Sequence, residues 1–394
     1  MLLLLLTTIA LSAGLTASQD LRYDVGCKNS YALGAYGKCL TLGCCSGSGQ
    51  DSSPALCTAG GATETCCYRD DACGSVNCIN VAATWVSRYA YSADYNSVYT
   101  GFTTLRQKGI NRVYFNIWAD GNLYANSATA QANGVTMAGD RLATAVSVAK
   151  ELGLEIYAWL EYGTQACYGS LNGFATTAAS KGWLLCHDPS SGCTDYFAGS
   201  YAYLDLGNSG AVDFLKNMVA DIVRGYPGLD GFQFDDHFSL PNDFASVSSM
   251  AQSTRYSITR NAMISIRDAA QAARSSVHIS FAPSPLDFAR SNHNVDWANY
   301  LYDGVVMEVV PQYYRTTYSS FKTTLDADLA RVSRYQNGLV AAIRLSGSGA
   351  DTPWADVNSM LEYCYTVKLR GASFWFADDI ISDASWNPPA FRFC

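Results

Sequence analysis

Beyond about residue 80, short apolar runs alternate with longer segments of helical periodicity. The short runs have the composition of buried strands, and the segments between them place apolar side chains three and four positions apart, as an amphipathic helix does. The pattern predicts eight strands, at Ala82–Tyr89, Arg112–Trp118, Glu155–Glu161, Gly231–Asp235, Val277–Ala282, Gly304–Gln312, Gly338–Leu345 and Ala372–Ala377. Helices are predicted between most of them, at Asp140–Leu152, Ala211–Arg224 and Ser253–Ala273 among others.

This alternation is typical of successive βα units that form a parallel sheet. Eight strands within about 315 residues fit an α/β fold of the (β/α)8 TIM barrel type. A doubly wound open sheet is the alternative, but it does not need eight units, and no glycine-rich phosphate loop follows the first strand. We therefore predict a barrel domain over residues 80–394.

The chain begins with an apolar segment, Met1 to Ala17, and has no charged side chain before Asp20. Small residues follow its leucine-rich front, as in a secretory signal that is cleaved after Ala17 or Ser18. A membrane anchor is the alternative, but the run is short and lacks flanking charge. We expect residues 1–18 to be a signal peptide and the mature protein to be a secreted, extracellular monomer without a membrane span.

The next segment, residues 19–79, is rich in Gly, Ser and Cys and has few apolar runs, so disulfides must hold it together. Nine of the fourteen cysteines lie here. Two Cys-Cys doublets and the lack of Cys-x-x-Cys pairs favour disulfides over a zinc site. The sequence predicts a small disulfide-rich N-terminal module, which is either a structural cap or a carbohydrate-binding module.

The cysteine count also predicts a link between this module and the barrel. Nine cysteines precede residue 79 and five follow it, so complete pairing within each group is impossible. In an oxidising compartment leftover thiols tend to pair. Cys186 and Cys193 are near enough in sequence to close a local loop, which leaves Cys364 or Cys394 as the expected barrel partner of the module.

Composition narrows the class of partner. The formal net charge of −8 argues against nucleic acid, whose binding requires a basic surface, and also against an acidic polysaccharide. The chain has 26 Tyr and 8 Trp, whose flat apolar faces with a polar tip suit sugar rings. None of the four histidines has metal-ligand spacing, so we expect neither a metal site nor another cofactor.

The fourth predicted strand carries the most specific chemical signal, because it ends in Asp235, Asp236 and His237. In a parallel barrel the carboxyl end of a strand borders the active site. Paired carboxylates are what glycosidic bond cleavage requires. Asp235 shares strand parity with Gln233 and His237, which favours it as the inward member of the pair. For an isolated Asp-Asp, a capped loop or a pair of calcium ligands is the alternative.

Most other predicted strands also end in carboxylate, amide, arginine or tryptophan side chains, whereas barrel strands otherwise consist largely of Val, Ile and Leu. These side chains are Arg88, Asn116, Trp118, Asp120, Trp159, Glu161, Gln312, Tyr314, Arg315, Arg344 and Trp375, with Glu308 inside the sixth strand. Structural roles stay open for several of them. Glu308 could pair with Arg344, Glu161 could pair with Arg88, and Trp159 or Trp375 could be core residues.

The segment from Asp230 to Pro241, Asp-Gly-Phe-Gln-Phe-Asp-Asp-His-Phe-Ser-Leu-Pro, resembles the strand-four motif of bacterial glycosyl-hydrolase-like family 10 proteins. Other segments resemble that family in order, namely Arg112–Gly121, Ala158–Gly163, Leu204–Ser209, Val309–Arg315 and Gly371–Phe376. The resemblance covers about residues 82–376. It implies a TIM-barrel glycoside hydrolase, in a group associated with amino-sugar polymers such as peptidoglycan glycan strands or exopolysaccharide. The cysteine-rich segment is not part of that pattern and could retarget the barrel.

Together these features predict a secreted glycoside hydrolase that cleaves O-glycosidic bonds of a polysaccharide. The expected catalytic residues are Asp235 and Asp236, with Glu308 as the leading further carboxylate and Glu161 behind it. Sugar stacking is expected at Trp118, Trp159, Tyr314 and Trp375, and polar contacts to the substrate at Arg88, Asn116, Asp120, His237, Gln312 and Arg315. Two other functions stay open: a carbohydrate-binding barrel without catalysis, and a structural wall or matrix protein crosslinked through its cysteines.

Overall fold

The computed structural model describes residues 81–88, 90, 94–188, 190, 192–332, 335, 338–383 and 386, together with three short strands nearer the N-terminus. Those strands, Lys38–Thr41, Gln50–Asp51 and Glu64–Cys67, form an antiparallel sheet with Glu64–Cys67 in the middle. The predicted signal peptide, Tyr89, Cys394 and all but these strands of the predicted cysteine-rich module lie outside the described residues.

Eight parallel strands form the main sheet. They are β1 (Val81–Val86), β2 (Arg112–Asn116), β3 (Glu155–Leu160), β4 (Gly231–Asp235), β5 (His278–Ala282), β6 (Glu308–Val309), β7 (Val340–Arg344) and β8 (Gly371–Trp375). Their order follows the chain from β1 to β6, and β8 lies between β1 and β7. Two parallel bridges, Val309 to Leu339 and Gln312 to Ala342, join β6 to β7. The predicted (β/α)8 TIM barrel is confirmed.

Strand β6 is shorter than the apolar run Gly304–Gln312 predicts. Pro311 has no N–H to donate to a sheet ladder, which interrupts regular pairing. The amides of Val310 and Gln312 donate to the carbonyls of Phe281 and Pro283, but Pro283 also has no N–H with which to return a bond. Regular pairing therefore ends before Gln312, whose backbone makes an isolated bridge to Ala342.

A helix follows every barrel strand. The eight are α1 (Tyr95–Gln107), α2 (Arg141–Leu152), α3 (Ser209–Gly225), α4 (Gln252–Ala273), α5 (Trp297–Tyr302), α6 (Tyr318–Val332), α7 (Trp354–Thr366) and α8 (Ala377–Ser382). Helix α3 is amphipathic, because it buries residues at spacings of three and four, namely Ala211, Phe214, Met218 and Ile222. The Asn208 side chain caps its first turn. In the described part of the chain, no helix combines the length and the apolar character that membrane crossing requires.

Two loops at the carboxyl ends of the strands are elaborated. The β2–α2 connection contains the strands Trp118–Ala119, Asn122–Leu123 and Thr136–Met137 and the helix Ala128–Ala132. The β3–α3 connection contains the strands Gln165–Tyr168, Phe197–Ala198 and Tyr201–Tyr203 and the helix Gly173–Ser180. Shorter helical turns, Ala245–Ser248, Leu286–Phe288 and the π-helical Ala289–His293, follow β4 and β5. All of these loops lie at the end of the barrel where active sites are built.

One prediction about the barrel cysteines is confirmed and another is wrong. Cys186 and Cys193 form a disulfide within the β3–α3 connection, as their spacing predicts. Cys364 was an expected partner of the N-terminal module, but it is a buried free thiol. Helix α7 turns this side chain into the core together with Leu361 and Tyr365, so a bridge through Cys364 is excluded in this structure.

Three ionised side chains, Arg112, Glu308 and Arg370, are buried in the interior of the barrel. The Arg112 guanidinium donates to Glu308 at 2.6 Å and to Glu155 at 2.6 Å. Arg370 lies 3.4 Å from the same oxygen of Glu308, and the Ser280 hydroxyl donates to the other oxygen at 2.9 Å. Because Glu308 is only 2% exposed and has these partners on both oxygens, it belongs to the core of the barrel.

These contacts replace the pairing of Glu308 with Arg344 that the sequence left open. The guanidinium of Arg344 donates to the carbonyl oxygens of Ser348 and Ala350, at 2.9 and 2.7 Å. Both carbonyls lie in the loop after β7. Arg344 therefore holds its own βα loop, and the charge that neutralises Glu308 comes from the bottom of β2 and from the residue that precedes β8.

The buried Glu308 makes stability sensitive to acid. Burial alone would raise the pKa of Glu308, but the charges of Arg112 and Arg370 outweigh burial and hold that pKa at about 2. The pKa of an unfolded glutamate is about 4.3, so the stabilisation is complete above that pH and is lost as the pH falls towards 2. We expect the urea midpoint to decrease over this pH range and the decrease to be smaller in Glu308→Gln. Equal pH dependence in the two chains, measured by circular dichroism, would contradict this expectation.

Candidate active site

Asp235, the last residue of β4, faces the interior at the mouth of the barrel. One carboxylate oxygen accepts the indole N–H of Trp159 on β3 at 2.8 Å. The other accepts the side-chain amide of Gln312, which follows β6, and the backbone N–H of Asp236 at 2.7 Å. Asp235 is 6% exposed. Strand parity thus places it inward, as the sequence favours, and two side chains and one backbone N–H fix its position.

Asp236 points to the neighbouring loop. Its carboxylate accepts the hydroxyl of Ser284, just after β5, at 2.9 Å, and its other oxygen lies 3.8 Å from Nε2 of His237. The side chain is 19% exposed, more than that of Asp235. The pair therefore consists of one buried carboxylate and one that reaches the surface of the mouth.

The two carboxylates have opposite pKa shifts. Burial, followed by the negative charges of Asp236 and Glu161, raises the pKa of Asp235 well above its usual range, against the donors that favour its ionised form. Burial acts in the same direction on Asp236, but the charges of His237 and His293 and the Ser284 hydrogen bond lower its pKa. Such a pair titrates as a unit and keeps one proton at a pH where two separate aspartates have lost both.

Glu161 brings a third carboxylate to the same mouth. It follows β3, forms a salt bridge of 2.5 Å with Arg88, and accepts a hydrogen bond from the Asn116 amide. Its side chain is 26% exposed. The structural pairing of Glu161 with Arg88 is confirmed, and the negative charge of Glu161 is also one cause of the raised pKa of Asp235.

Aromatic side chains border the carboxylates. The ring of Trp375, at the end of β8, lies 5.8 Å from Trp159, 5.9 Å from Trp85 and 6.1 Å from Tyr314. Burial and then the negative charges of Asp235 and Asp236 raise the pKa of the Tyr314 phenol. Trp159 is buried, whereas Trp375 and Tyr314 are partly exposed and can contact a ligand.

Two expected site residues lie away from this mouth. Trp118 is fully buried, with its ring 5.4 Å from Phe174 and 6.3 Å from Phe214 of α3, because β2 ends at Asn116 and Trp118 belongs to a separate short strand. Glu308 pairs in register with Ser280, deeper in the barrel than Ala282, the partner of Asp235. Neither side chain is therefore placed to touch a ligand bound at Asp235.

Two further residues support the loops of the mouth. The carboxylate of Asp120 accepts the backbone N–H of Tyr168 at 2.9 Å and a longer bond from Asn172, so it positions the β3–α3 connection. Arg315 donates to the carbonyl of Tyr314 at 3.1 Å. His237 also contacts the turn after β3, because its Nδ1 lies 3.0 Å from the backbone carbonyl oxygen of Glu161.

The sequence did not indicate two of the groups that lower the pKa of Asp236, Ser284 and His293. Ser284 lies two residues beyond β5, and His293 lies in the π-helical turn Ala289–His293. Burial lowers the pKa of His293, and the charge of Asp236 opposes that effect. The only available signal is the position of Ser284 after an apolar strand, since a π-helical turn has no periodicity that marks its inward residues.

The turn after β3 is hydrogen bonded to the turn that carries the aspartates. The backbone N–H and the hydroxyl of Thr164 both donate to the carbonyl of His237, at 3.1 and 2.8 Å. Gly163 has a φ of +50°, and a Cβ at this position would lie 2.5 Å from the backbone nitrogen of Phe238, so the contact requires glycine. We call this pair of turns, Gly163–Thr164 and Asp236–Phe238, the shared frame.

Among the described residues, no three or more His, Cys, Asp or Glu side chains are grouped so that they could hold a metal ion. The mouth contains a pair of carboxyl groups in which the pKa of Asp235 is raised and that of Asp236 is lowered, a third carboxylate just after the neighbouring strand, and partly exposed aromatic rings. This set of groups can donate a proton to a bound oxygen and place a carboxylate near the same atom.

Comparison with known proteins agrees with the fold. The chain is similar to the PgaB (BpsB) glycoside hydrolase domain from Bordetella bronchiseptica, with a TM-score of 0.59, 11% identity and coverage of 77% of this chain and 96% of that one. For the catalytic domain of a β-amylase from Paenibacillus polymyxa the TM-score is 0.54 at 12% identity, with coverage of 80% of this chain and 96% of that one. For an endo-1,4-β-mannanase from Rhizomucor miehei the TM-score is 0.55 at 11% identity, with coverage of 79% of this chain and 93% of that one. At such identities the likeness concerns the fold alone.

The sequence itself supplies the family. A search of curated proteins found no significant match. The family model described as glycosyl hydrolase-like 10 matches residues 80–347, more than half of the chain and all but one of the barrel strands. Family and fold together support a carbohydrate-active TIM barrel with a glycosidase-like architecture. The chain belongs to the glycosyl hydrolase-like 10 family.

Proposed function

We propose that the protein is a secreted glycoside hydrolase that cleaves O-glycosidic bonds of a polysaccharide. The observation that carries the proposal is the geometry of the Asp235–Asp236 pair at the mouth of the barrel, where Asp235 is buried against Trp159 and Gln312 and Asp236 contacts Ser284. Burial of Asp235 beside a second carboxylate also raises its pKa, which favours a proton on this side chain. Glycosidases need one carboxyl group that protonates the leaving oxygen and a second that attacks the sugar or activates water. Secretion is proposed from the apolar, uncharged start of the chain.

We assign proton donation to the pair and the second role to Glu161. Consecutive residues of an extended chain point to different sides, so Asp235 and Asp236 are poorly placed to flank one glycosidic bond. Glu161 comes from the neighbouring strand, and Arg88 and Asn116 fix its carboxylate. In this mechanism Asp235 keeps the proton until the leaving oxygen takes it, and partly exposed Trp375 and Tyr314 pack against the sugar.

A polysaccharide screen tests the proposal. Reducing ends would be measured after incubation with glycol chitin, peptidoglycan sacculi, galactomannan and β-glucan, with the Asp235→Asn chain in parallel. Amino-sugar polymers come first, because the resemblance of the strand-four motif implies them. Release by the wild-type chain that is absent from Asp235→Asn supports the proposal, and no release from any polymer contradicts it.

The pH profile of cleavage should depend on the indole N–H of Trp159, which donates to Asp235. Trp159→Phe removes the N–H that stabilises ionised Asp235 while keeping an aromatic ring. The pKa of Asp235 should rise further, so the alkaline limb of kcat/KM should move to higher pH. Trp354→Phe is the matched control, since it removes an indole N–H that donates to Asp383 at 2.9 Å, outside the mouth. A limb that stays in place in Trp159→Phe, or moves equally in both variants, would show that another group donates the proton.

A further inference from the structure

Large apolar side chains are exposed mainly beside the mouth. The four with the greatest exposure in the described part of the chain are Tyr95, Tyr168, Leu171 and Phe288. Three of them lie in the loops that follow β3 and β5, on either side of the strand that carries the aspartates. Tyr168 is 54% exposed, the highest value of the four. An aromatic ring exposed beside a cleft is a candidate contact for a ligand.

A series of rings connects Tyr168 to the aspartates. Its centroid lies 5.1 Å from that of Tyr201, which in turn lies 6.0 Å from the ring of His237. Tyr162 lies 5.9 Å from Tyr201 and 6.4 Å from His237. His237 is the residue next to Asp236, so the aromatic surface is continuous with the candidate active site and extends outward along the β3–α3 connection.

Backbone hydrogen bonds fix the two strands that carry the outer rings. Tyr168 and Tyr201 are directly opposite each other on two paired antiparallel strands. The N–H of Tyr168 donates to Asp120, and the N–H of Gly169 donates to the carbonyl of Ser200 at 2.7 Å. A surface that is already ordered loses little conformational entropy when it binds, which favours a binding role.

We propose that Tyr168 and Tyr201, the tyrosine platform, form a distal sugar-binding subsite that takes a polysaccharide chain extending outward from the aspartates on the β3 side. This inference rests on the proposed function and adds that the substrate is a polymer bound over several sugar units. The chemistry fits, because a tyrosine offers an apolar face to a sugar ring and a hydroxyl to its polar edge. Continuity with the catalytic mouth is the reason to assign a sugar chain to this surface.

Binding can be tested apart from cleavage. The Asp235→Asn chain would be run through native gels that contain glycol chitin, galactomannan or β-glucan, alone and combined with Tyr168→Ala. We expect Tyr168→Ala to raise the Kd for the polymer that retards the chain about tenfold, because one well-packed aromatic contact is lost. Tyr168→Trp should retain binding. Tyr95→Ala is the matched control, because Tyr95 is 41% exposed, stacks on Tyr99 of α1 and donates its hydroxyl to Glu151 of α2.

Cleavage provides the second readout. In the chain with intact Asp235, Tyr168→Ala should lower the ratio of kcat/KM for the polymer to kcat/KM for an aryl glycoside about tenfold. Unchanged polymer binding and an unchanged ratio, with normal cleavage, would overturn the platform and leave the proposed function intact. Binding that depends on Tyr168 without any cleavage would support the platform and refute the hydrolase. Equal losses of polymer affinity in Tyr168→Ala and Tyr95→Ala would also overturn the platform. The same holds if the Tyr168→Ala chain binds the polymer as tightly as the chain with Tyr168.

Discussion

Asp235→Asn is expected to lower kcat for polysaccharide cleavage by about 10³-fold, because positioned proton transfer contributes on the order of 10²–10⁴ to such reactions. The amide has the shape of the carboxyl group but cannot deliver its proton. Trp159 and Gln312 still border the side chain, so the mouth should keep its form. Initial rates of reducing-end release, with polymer binding measured in the same gels as above, would separate lost turnover from lost affinity.

Asp328→Asn is the matched control for that experiment. Asp328 is also a buried aspartate, and burial raises its pKa to about 6, but its carboxylate accepts from Tyr313 and from the backbone of Leu286 on the outer side of the barrel. Its kcat should stay within about threefold of the wild-type value, since such a change is well below what a lost catalytic group costs. Similar losses in both variants would mean that Asp235 acts through the fold and not through its proton.

Glu308→Ala is expected to reduce the free energy of unfolding by about 3–5 kcal/mol, the usual cost of removing one partner of a buried ion pair. The substitution leaves the buried guanidinium groups of Arg112 and Arg370 without their shared carboxylate. Urea denaturation followed by circular dichroism would measure the loss. Asp213→Ala, which breaks an exposed pair with Lys216 on α3, should cost no more than about 1 kcal/mol.

A conservative substitution of Glu308 tests whether this carboxylate is structural or catalytic. Glu308→Gln keeps the shape of the side chain, and its folded fraction should turn over polysaccharide at a rate close to that of the wild type. A loss of about 10³-fold in a folded Glu308→Gln chain, the size expected for a catalytic acid or base, would return Glu308 to the catalytic set. That outcome would require Glu308 to act from inside the cluster around Arg112.

The strands were predictable because parallel strands buried on both faces read as continuous apolar runs. The pattern located all eight and placed Gly231–Asp235 at its observed bounds. Strand ends were less accurate where local chemistry intervened. At β6 the run is longer than the ladder because Pro311 cannot donate, and at β2 the ladder stops at Asn116 although Trp118 continues the apolar pattern.

The site was predictable where a single strand end carries it, and less so where partners come from distant parts of the chain. Asp235, Asp236 and Glu161 follow directly from strand position. The role of Glu308 could not be derived, because its neutralising charges stand nearly two hundred residues earlier, at Arg112, and sixty-two residues later, at Arg370. Trp118 was misplaced for a related reason: after the strand breaks at Ile117, alternation no longer tells which way a side chain points.

The shared frame has a consequence for the products. Thr164 ties the turn of the β3–α3 connection to the turn that holds the aspartates, and Gly163 allows the two backbones to touch. If a polymer rests on the tyrosine platform, backbone hydrogen bonds fix the distance between the strands that carry the platform and the turn that carries Asp236. Cleavage would then fall at a fixed number of units from the end that the platform holds, and fragments of one dominant length would accumulate. Under the proposed function, the backbone of these two turns would then determine the size of the oligosaccharides, and a side chain at position 163, which would force the turns apart, should broaden the distribution of fragment lengths.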